Sequence, residues 1–233
     1  MTEEQVQALV DAERVRNQSA RLIRGFLDVA AAAQQERTPG DFFRVVRERL
    51  HGLGLTSTVF EVEGDRFRFA PFFEPVTDVG VEMRVRLPGW TPLRSAPIDL
   101  TSADGLLVDD FPSLLGHLAG LPRSHFLGRT APRALMTAVP VNGAPAFVLS
   151  CAGEHLDGAV AGAFGLLGRQ LGAALESALR IEELDRRNAE LSLLFELGRE
   201  VVGALDLPEV LQKAAHTAAQ SLRCSPRLLQ AGG

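Results

Sequence analysis

The chain has 233 residues, of which 46% are hydrophobic and 23% charged, with a formal net charge of −5. That length and balance fit one or two globular domains with a core of ordinary size. The acidic balance, with no basic face in the sequence, argues against nucleic-acid binding, which rests on Lys and Arg neutralising phosphates.

Lys213 is the single lysine among 24 basic residues. Codon bias toward arginine accounts for this, and so does selection for bidentate anion contacts. Cys151 and Cys224 lie far apart, with no CxxC and no Cys/His cluster, so no metal site is expected. The N-terminus, MTEEQVQALVDAERVRN, is charged and lacks the apolar run of a signal peptide. The longest apolar tract, GAVAGAFGLLG (158–168), falls well short of the roughly 20 residues that cross a bilayer. The expectation is a cytoplasmic chain with no membrane partner.

In chain order, residues 3–35 read as a helix, with Val6, Leu9, Val10, Leu22, Ile23, Phe26, Leu27 and Val29 recurring along one side. The pattern stops at QQERTPGD. Thr38 is then placed as an N-cap, with Pro39 opening a second helix, DFFRVVRERLHGLG, that ends on glycines. TSTVFEVEGDRFRFAPFF carries Val/Phe alternation broken at Gly64-Asp65 and predicts a hairpin, with Phe67, Phe69 and Phe73 sharing a face. VEMRVRL (81–87) alternates again and reads as a strand. Residues 88–133 form a Pro/Gly-punctuated region with a short helix around PSLLGHLAGL, started near Asp110 or Pro112. ALMTAVPVNGAPAFVLSCAG (134–153) is the clearest hairpin, because Asn142-Gly143 accepts the two positive φ angles of a type I′ turn.

From Asp157 to Leu205 no proline occurs, which allows one long helix or two broken at a glycine. Ile181, Leu184, Asn188, Leu191, Phe195, Gly198, Val202 and Leu205 alternate at three and four, an a/d heptad seam. Asn188 falls on an a position, where a buried Asn fixes register in a parallel pair. The alternative is that this stripe packs on the chain's own sheet, although residues 163–178 already supply a sheet-facing stripe. A shift of 168–169 residues superposes Leu22 on Leu191, Phe26 on Phe195, and the Thr38/Asp41 helix start on Asp206/Glu209. Helix, stop, cap and helix in the same order suggest a repeating unit.

Three stretches resemble the GAF family of small-molecule sensory domains. ALMTAVPVNGAPAFVLSCAG is similar to its late hairpin. LLGRQLGAALESALRIEEL is similar to its C-terminal helix, with small residues against the sheet and an acidic exit. LSLLFELGREVVGALDLPEVLQKAAHTAA is similar to a signalling helix leading into another such unit. The resemblance covers about residues 18–180 and 190–225. It implies an α+β fold: a central antiparallel sheet with helices on one face, a ligand pocket under loops on the other, and long N- and C-terminal helices. It also implies an N-terminal dimerisation helix over 1–37, a sensory domain over 38–180, a coiled-coil signalling helix over 181–205, and the truncated start of a second unit over 206–233. The implied role is that of a sensory part of a bacterial signalling protein, without catalysis of its own, feeding an output module such as a histidine kinase in the same polypeptide. The alternative is a structural dimerisation domain that binds nothing.

On that frame the candidate ligand contacts are Trp90, His125, Arg129, Phe69 and Cys151, and the candidate homodimer seam is Ile181, Leu184, Asn188, Leu191, Phe195 and Val202. Each has a plainer reading beside it. Cys151, ending a buried strand, packs as a small hydrophobe or senses redox state. It is followed by Ala152 where chromophore-binding relatives often have His. His117 and His125 either bind haem iron or an anion or are ordinary loop histidines. Trp90, in LPGWTPL, stacks on a flat ligand or plugs the sheet end. Arg123 and Arg129 hold an anion or stand in solvent. Phe69 walls a pocket or fills the core. The pair Asp109-Asp110 marks a turn, and no cofactor is specified.

Overall fold

The computed structural model describes residues 2–36, 38–102 and 104–204, and of these the side chains at 3, 4, 39, 198 and 200–204 are left aside. The chain divides into two compact units, Met1–Glu182 and Glu183–Gly233. The first unit opens with α1 (Glu3–Ala33), started by a reciprocal Thr2/Gln5 capping box, and α2 (Pro39–Gly52), capped by Thr38 with Pro in its first turn. Strands β1 (Thr56–Glu63) and β2 (Arg66–Phe69) form the expected hairpin, turning at Gly64 with φ 60°. After α3 (Asp78–Arg86) come β3 (Thr91–Pro92), β4 (Leu106–Val108) and α4 (Phe111–Ala119), the last capped by Asp110. The late hairpin is β5 (Arg133–Val141) and β6 (Ala144–Gly153), and α5 (Gly158–Ala204) is one helix. Asn142 and Gly143 take φ 53° and 78°, the type I′ signature that the sequence announces.

The six strands form one antiparallel sheet in the order β3-β2-β1-β6-β5-β4. Each face has its own core. Odd positions of β1, β5 and β6, such as Val59, Leu135, Leu149 and Cys151, pack against Phe26 and Val29 of α1, Phe42 and Leu50 of α2, and Phe164, Leu167 and Leu171 of α5. Even positions, such as Phe60, Met136, Val148 and Ala152, pack against Val79 and Met83 of α3, Leu114 and Leu115 of α4, and Phe126. This is the GAF-like α+β architecture that the resemblance implies, with the long helices on one face and, on the other, the short helices α3 and α4 with their loops.

Two local expectations are corrected. Residues 81–87 are not a strand: Thr77 accepts a hydrogen bond from the Gly80 amide at 3.1 Å and starts a helix. Val79 and Met83, four apart, face inward, whereas Val81 and Val85 are 51% and 73% exposed. The alternation therefore never marked a buried face. Phe73 does not share a face with Phe67 and Phe69, because β2 ends at Phe69 and the chain turns Phe73 into the helix-side core.

Along α1, Leu22, Phe26 and Val29 are buried, while Val6, Leu9, Val10 and Leu27 are exposed. Ser19 donates to Asp157 Oδ2 at 2.6 Å, and Asp157 Oδ1 accepts from the Val160 amide at 2.8 Å, so one carboxylate ties α1 to the start of α5. Further along α5, Gly168 and Gly172 let the helix lie directly on the β5 backbone.

In the second unit, Leu184, Leu191 and Phe195 are 58%, 64% and 73% exposed, and Arg186 bonds Glu183 and Glu190. Ile181, at the end of the first unit, is 38% exposed. The Val202 side chain, Leu205, Cys224 and the expected repeat over 206–233 lie outside the described residues. Among the described residues, no helix is long and apolar enough to cross a membrane.

Candidate functional site

On the loop-side face the strand register builds a floor. Thr58 of β1 stands directly across from Ser150 of β6, which in turn faces Met136 of β5. In the next row, Phe60 lies between Val148 and Phe69. Period-two alternation sends all of these toward α3 and α4. Val79, Gly80 and Met83 of α3 and Phe111, Leu114, Leu115 and Leu118 of α4 form the roof, enclosing a cavity of about 50 Å³. Phe60 and Phe69 pack with ring centroids 4.7 Å apart along one wall.

A wider groove of about 610 Å³ runs over this end of the sheet, bounded by Gln18 and Leu22 of α1, residues 53–56, residues 128–132 and residues 152–156. Thr56, Thr77, Thr130 and Ala152 line both spaces and form the neck between them. Three of these four are hydroxyl-bearing.

The charges stand outside the neck and are matched to one another. Glu82 of α3 accepts from Arg86 Nε at 3.0 Å and Arg129 Nη2 at 3.0 Å, with His125 Nε2 at 2.9 Å. The bond from Arg86 foremost holds its carboxyl down at about 2; burial opposes it, and the bonds from Arg129 and His125 add to the lowering. His125 Nε2 also lies 2.8 Å from Arg129 Nη1. A protonated Nε2 donates to the carboxylate, whereas a bare one accepts from the guanidinium. Either way the cluster latches α3 to the loop that carries Thr130. Nearby, Arg123 Nε bonds both oxygens of Asp110, at 3.0 and 2.7 Å, and Asp110 Oδ1 caps α4 through the Ser113 amide.

Of the five ligand contacts expected from sequence, Phe69 lines the cavity and Arg129 lines the groove. His125 is brought beside Arg129, but both face Glu82. Trp90 lies away from the cavity beneath the Arg68 guanidinium, 4.4 Å from its ring centroid, with Arg68 bonded to Glu61. Cys151 is fully buried on the opposite, helix-side face, where burial pushes its thiol pKa far up. His117 Nε2 donates to the Ser95 carbonyl at 2.9 Å and pins α4 to the preceding loop. Sequence reasoning missed Thr58, Ser150 and the three neck threonines. Alternation marks Thr56 and Thr58 as one face of β1, but only the cross-strand register brings Ser150 beside them. Among the described residues, no group of three or more His, Cys, Asp or Glu is placed to hold a metal ion.

No family model and no curated protein matches the sequence. Among solved structures, the chain is similar to the free methionine-R-sulfoxide reductase of Neisseria meningitidis in complex with its substrate, at 14% identity over 70% of this chain and 92% of that one, with a TM-score of 0.47. It is also similar to the GAF domain of an Acinetobacter phosphoenolpyruvate-protein phosphotransferase, at 11% identity over 77% and 97% of the two chains, with a TM-score of 0.46. A third likeness is the A. aeolicus NLH2 GAF domain in an inactive state, at 14% identity over 70% and 98%, with a TM-score of 0.42.

Proposed function

We propose that the chain is a GAF-type sensory module: a small ligand enters the loop-side cavity, and the response leaves through α5. The observation that carries this reading is the placement of the cavity. Its floor is one face of β1, β5 and β6, and the other face of those strands is the bed of α1, α2 and α5. Alternation makes Leu149 and Cys151 helix-side neighbours of Ser150. An occupant that moves Ser150 therefore also moves the surface on which α5 rests. Such a signal requires that the ligand bind one arrangement of the strands better than the other.

In the proposed output, the heptad seam of Ile181, Leu184, Asn188, Leu191, Phe195 and Val202 pairs with the same seam of a second chain, and a downstream module in the same polypeptide reads the pair. The proposed role is regulatory, and Cys151, buried on the opposite face, is not placed for thiol chemistry in the cavity. Sedimentation at micromolar concentration tests the dimer. A concentration-dependent dimer that Phe195→Asp abolishes and Asn188→Leu redistributes is expected, whereas a strict monomer would remove the paired-helix output.

A second reading, an interaction domain with no ligand, is favoured by the small size of the cavity, about 50 Å³. A thermal-shift screen of small molecules separates the two readings. A ligand that raises the unfolding midpoint of the parent chain, but not that of a variant with the cavity filled, supports the sensor.

A further inference from the structure

The cavity lining points to a ligand class. We infer that the site takes a small uncharged molecule, an apolar ring or short chain bearing one hydrogen-bonding group, of about the size of phenol. This rests on the ligand-site reading above and narrows it.

No charged side chain lines the cavity, whose walls are Phe, Leu, Met and Val with a few hydroxyls. A carboxylate or phosphate drawn inside would lose its hydration with no cation to replace it. The cations nearest the neck are already engaged: Arg129 and His125 with Glu82, and Arg123 with Asp110. An anionic ligand would have to take them from carboxylates they already bond, leaving Glu82 with Arg86 alone.

The floor nevertheless has a polar spot. Ser150 is 3% exposed and paired in register with Thr58, and both side chains line the cavity. A hydroxyl both donates and accepts, so the pair suits an alcohol, a phenol or a carbonyl equally. A ligand group that bonds one of these lining hydroxyls inside the apolar cavity gains from it. Beside this spot, the tilted Phe60–Phe69 pair offers an aromatic wall. The size limit follows from the volume. The cavity, about 50 Å³, has room for about three or four water-sized bodies. Met83 and Met136, both in the lining, have the unbranched flexible side chains that re-pack around a six-membered ring. Entry runs from the open groove through the neck of Thr56, Thr77 and Thr130.

The test titrates the full chain with phenol, toluene and benzoate, read by calorimetry and by NMR shifts of the methionine methyls. Phenol is expected to bind, with contacts to the Met83 and Met136 methyls, and benzoate at least about tenfold more weakly. Ser150→Ala should lower phenol affinity about three- to tenfold and leave toluene unchanged, as expected for one lost hydrogen bond. Benzoate binding tighter than phenol, or Ser150→Ala leaving phenol untouched, overturns the ligand class while the ligand-site reading stands. If none of the three probes binds at millimolar concentration and the thermal-shift screen gives the same result for Met83→Trp as for the parent chain, the ligand-site reading falls with it. Should Met83→Trp not fold, the absence of any shift of the Met83 and Met136 methyls of the parent chain at millimolar phenol decides the same question.

Discussion

Gly168→Ala and Gly162→Ala are the same substitution in the same helix, and the structure gives them opposite signs. A Cβ at Gly168 would stand 2.5 Å from the Ala138 carbonyl oxygen and 2.6 and 2.7 Å from Oγ1 and Cγ2 of Thr137. The carbonyl belongs to a central strand bonded on both sides, so it cannot yield. Instead α5 must lift by a large fraction of an ångström, and Phe164, Leu167 and Leu171, all buried against the sheet, lose part of their contacts. Overpacking of this kind costs about 1–3 kcal/mol. Replacing a mid-helix glycine returns about 1 kcal/mol of helix propensity, which leaves a net loss of up to about 2 kcal/mol. At Gly162 a Cβ meets nothing within 4 Å, so only the gain remains, about 0.5–1 kcal/mol. Urea unfolding of the full chain should place the two midpoints on opposite sides of the parent. At an m value of about 1–3 kcal/mol/M the separation is on the order of 1 M. A Gly168→Ala midpoint at or above that of Gly162→Ala would refute the close approach of α5 to β5.

Glu82 titrates at about 2 rather than 4.5, so its stabilising effect is present in full above pH 4.5 and drains away as the pH falls toward 2. Glu82→Gln should flatten that acid limb of the unfolding midpoint, and an unchanged limb would mean that the latch to Arg86, Arg129 and His125 does not form in solution. Asp157→Ala removes the cap of α5 together with the partner of Ser19 and should cost about 1–2 kcal/mol in chemical unfolding. In a double-mutant cycle with Ser19→Ala the two losses should not add, whereas full additivity would mean that Ser19 and Asp157 do not interact. Cys151, buried and with its thiol pKa raised, should resist thiol reagents in the native Cys224→Ser chain and react once urea unfolds it. Rapid native labelling would contradict its place in the core.

The fold was legible where local chemistry and long-range packing agree. Thr38-Pro39 starts a helix whatever lies around it, and Asn142-Gly143 turns a hairpin with little help from the rest of the chain. The failure at 81–87 has the reverse cause. Val81, Met83 and Val85 satisfy a period of two by coincidence, and the residue that decides the matter is Thr77, four positions upstream, whose hydroxyl caps the helix. Phe73 was misplaced for a related reason: alternation holds only while the strand lasts, and β2 is four residues long.

The site was less legible because its chemistry is ordinary at every single position. Cys151 and Trp90 attract notice as rare residue types, yet rarity says nothing about which side of a strand a residue occupies. Ser150 attracts none, but it stands one residue from Cys151, and period two puts one of them under the helices and the other in the cavity. Which is which depends on one anchor, the crossing of α5 over β5. Once Gly168 lies against Thr137 and the Ala138 carbonyl, odd positions of β5 face the helices, and the pairing Leu135↔Cys151 carries that parity to β6. The pairing Cys151↔Ser57 then carries it to β1, leaving Thr56, Thr58 and Phe60 on the cavity side. The same logic explains the buried, unpartnered Ser57 hydroxyl: it is the odd-parity member of Thr56-Ser57-Thr58, turned into the helix-side core. A hydroxyl run at consecutive strand positions thus divides between a site and a core, and the glycine stripe of α5, rather than any conspicuous side chain, fixes the division.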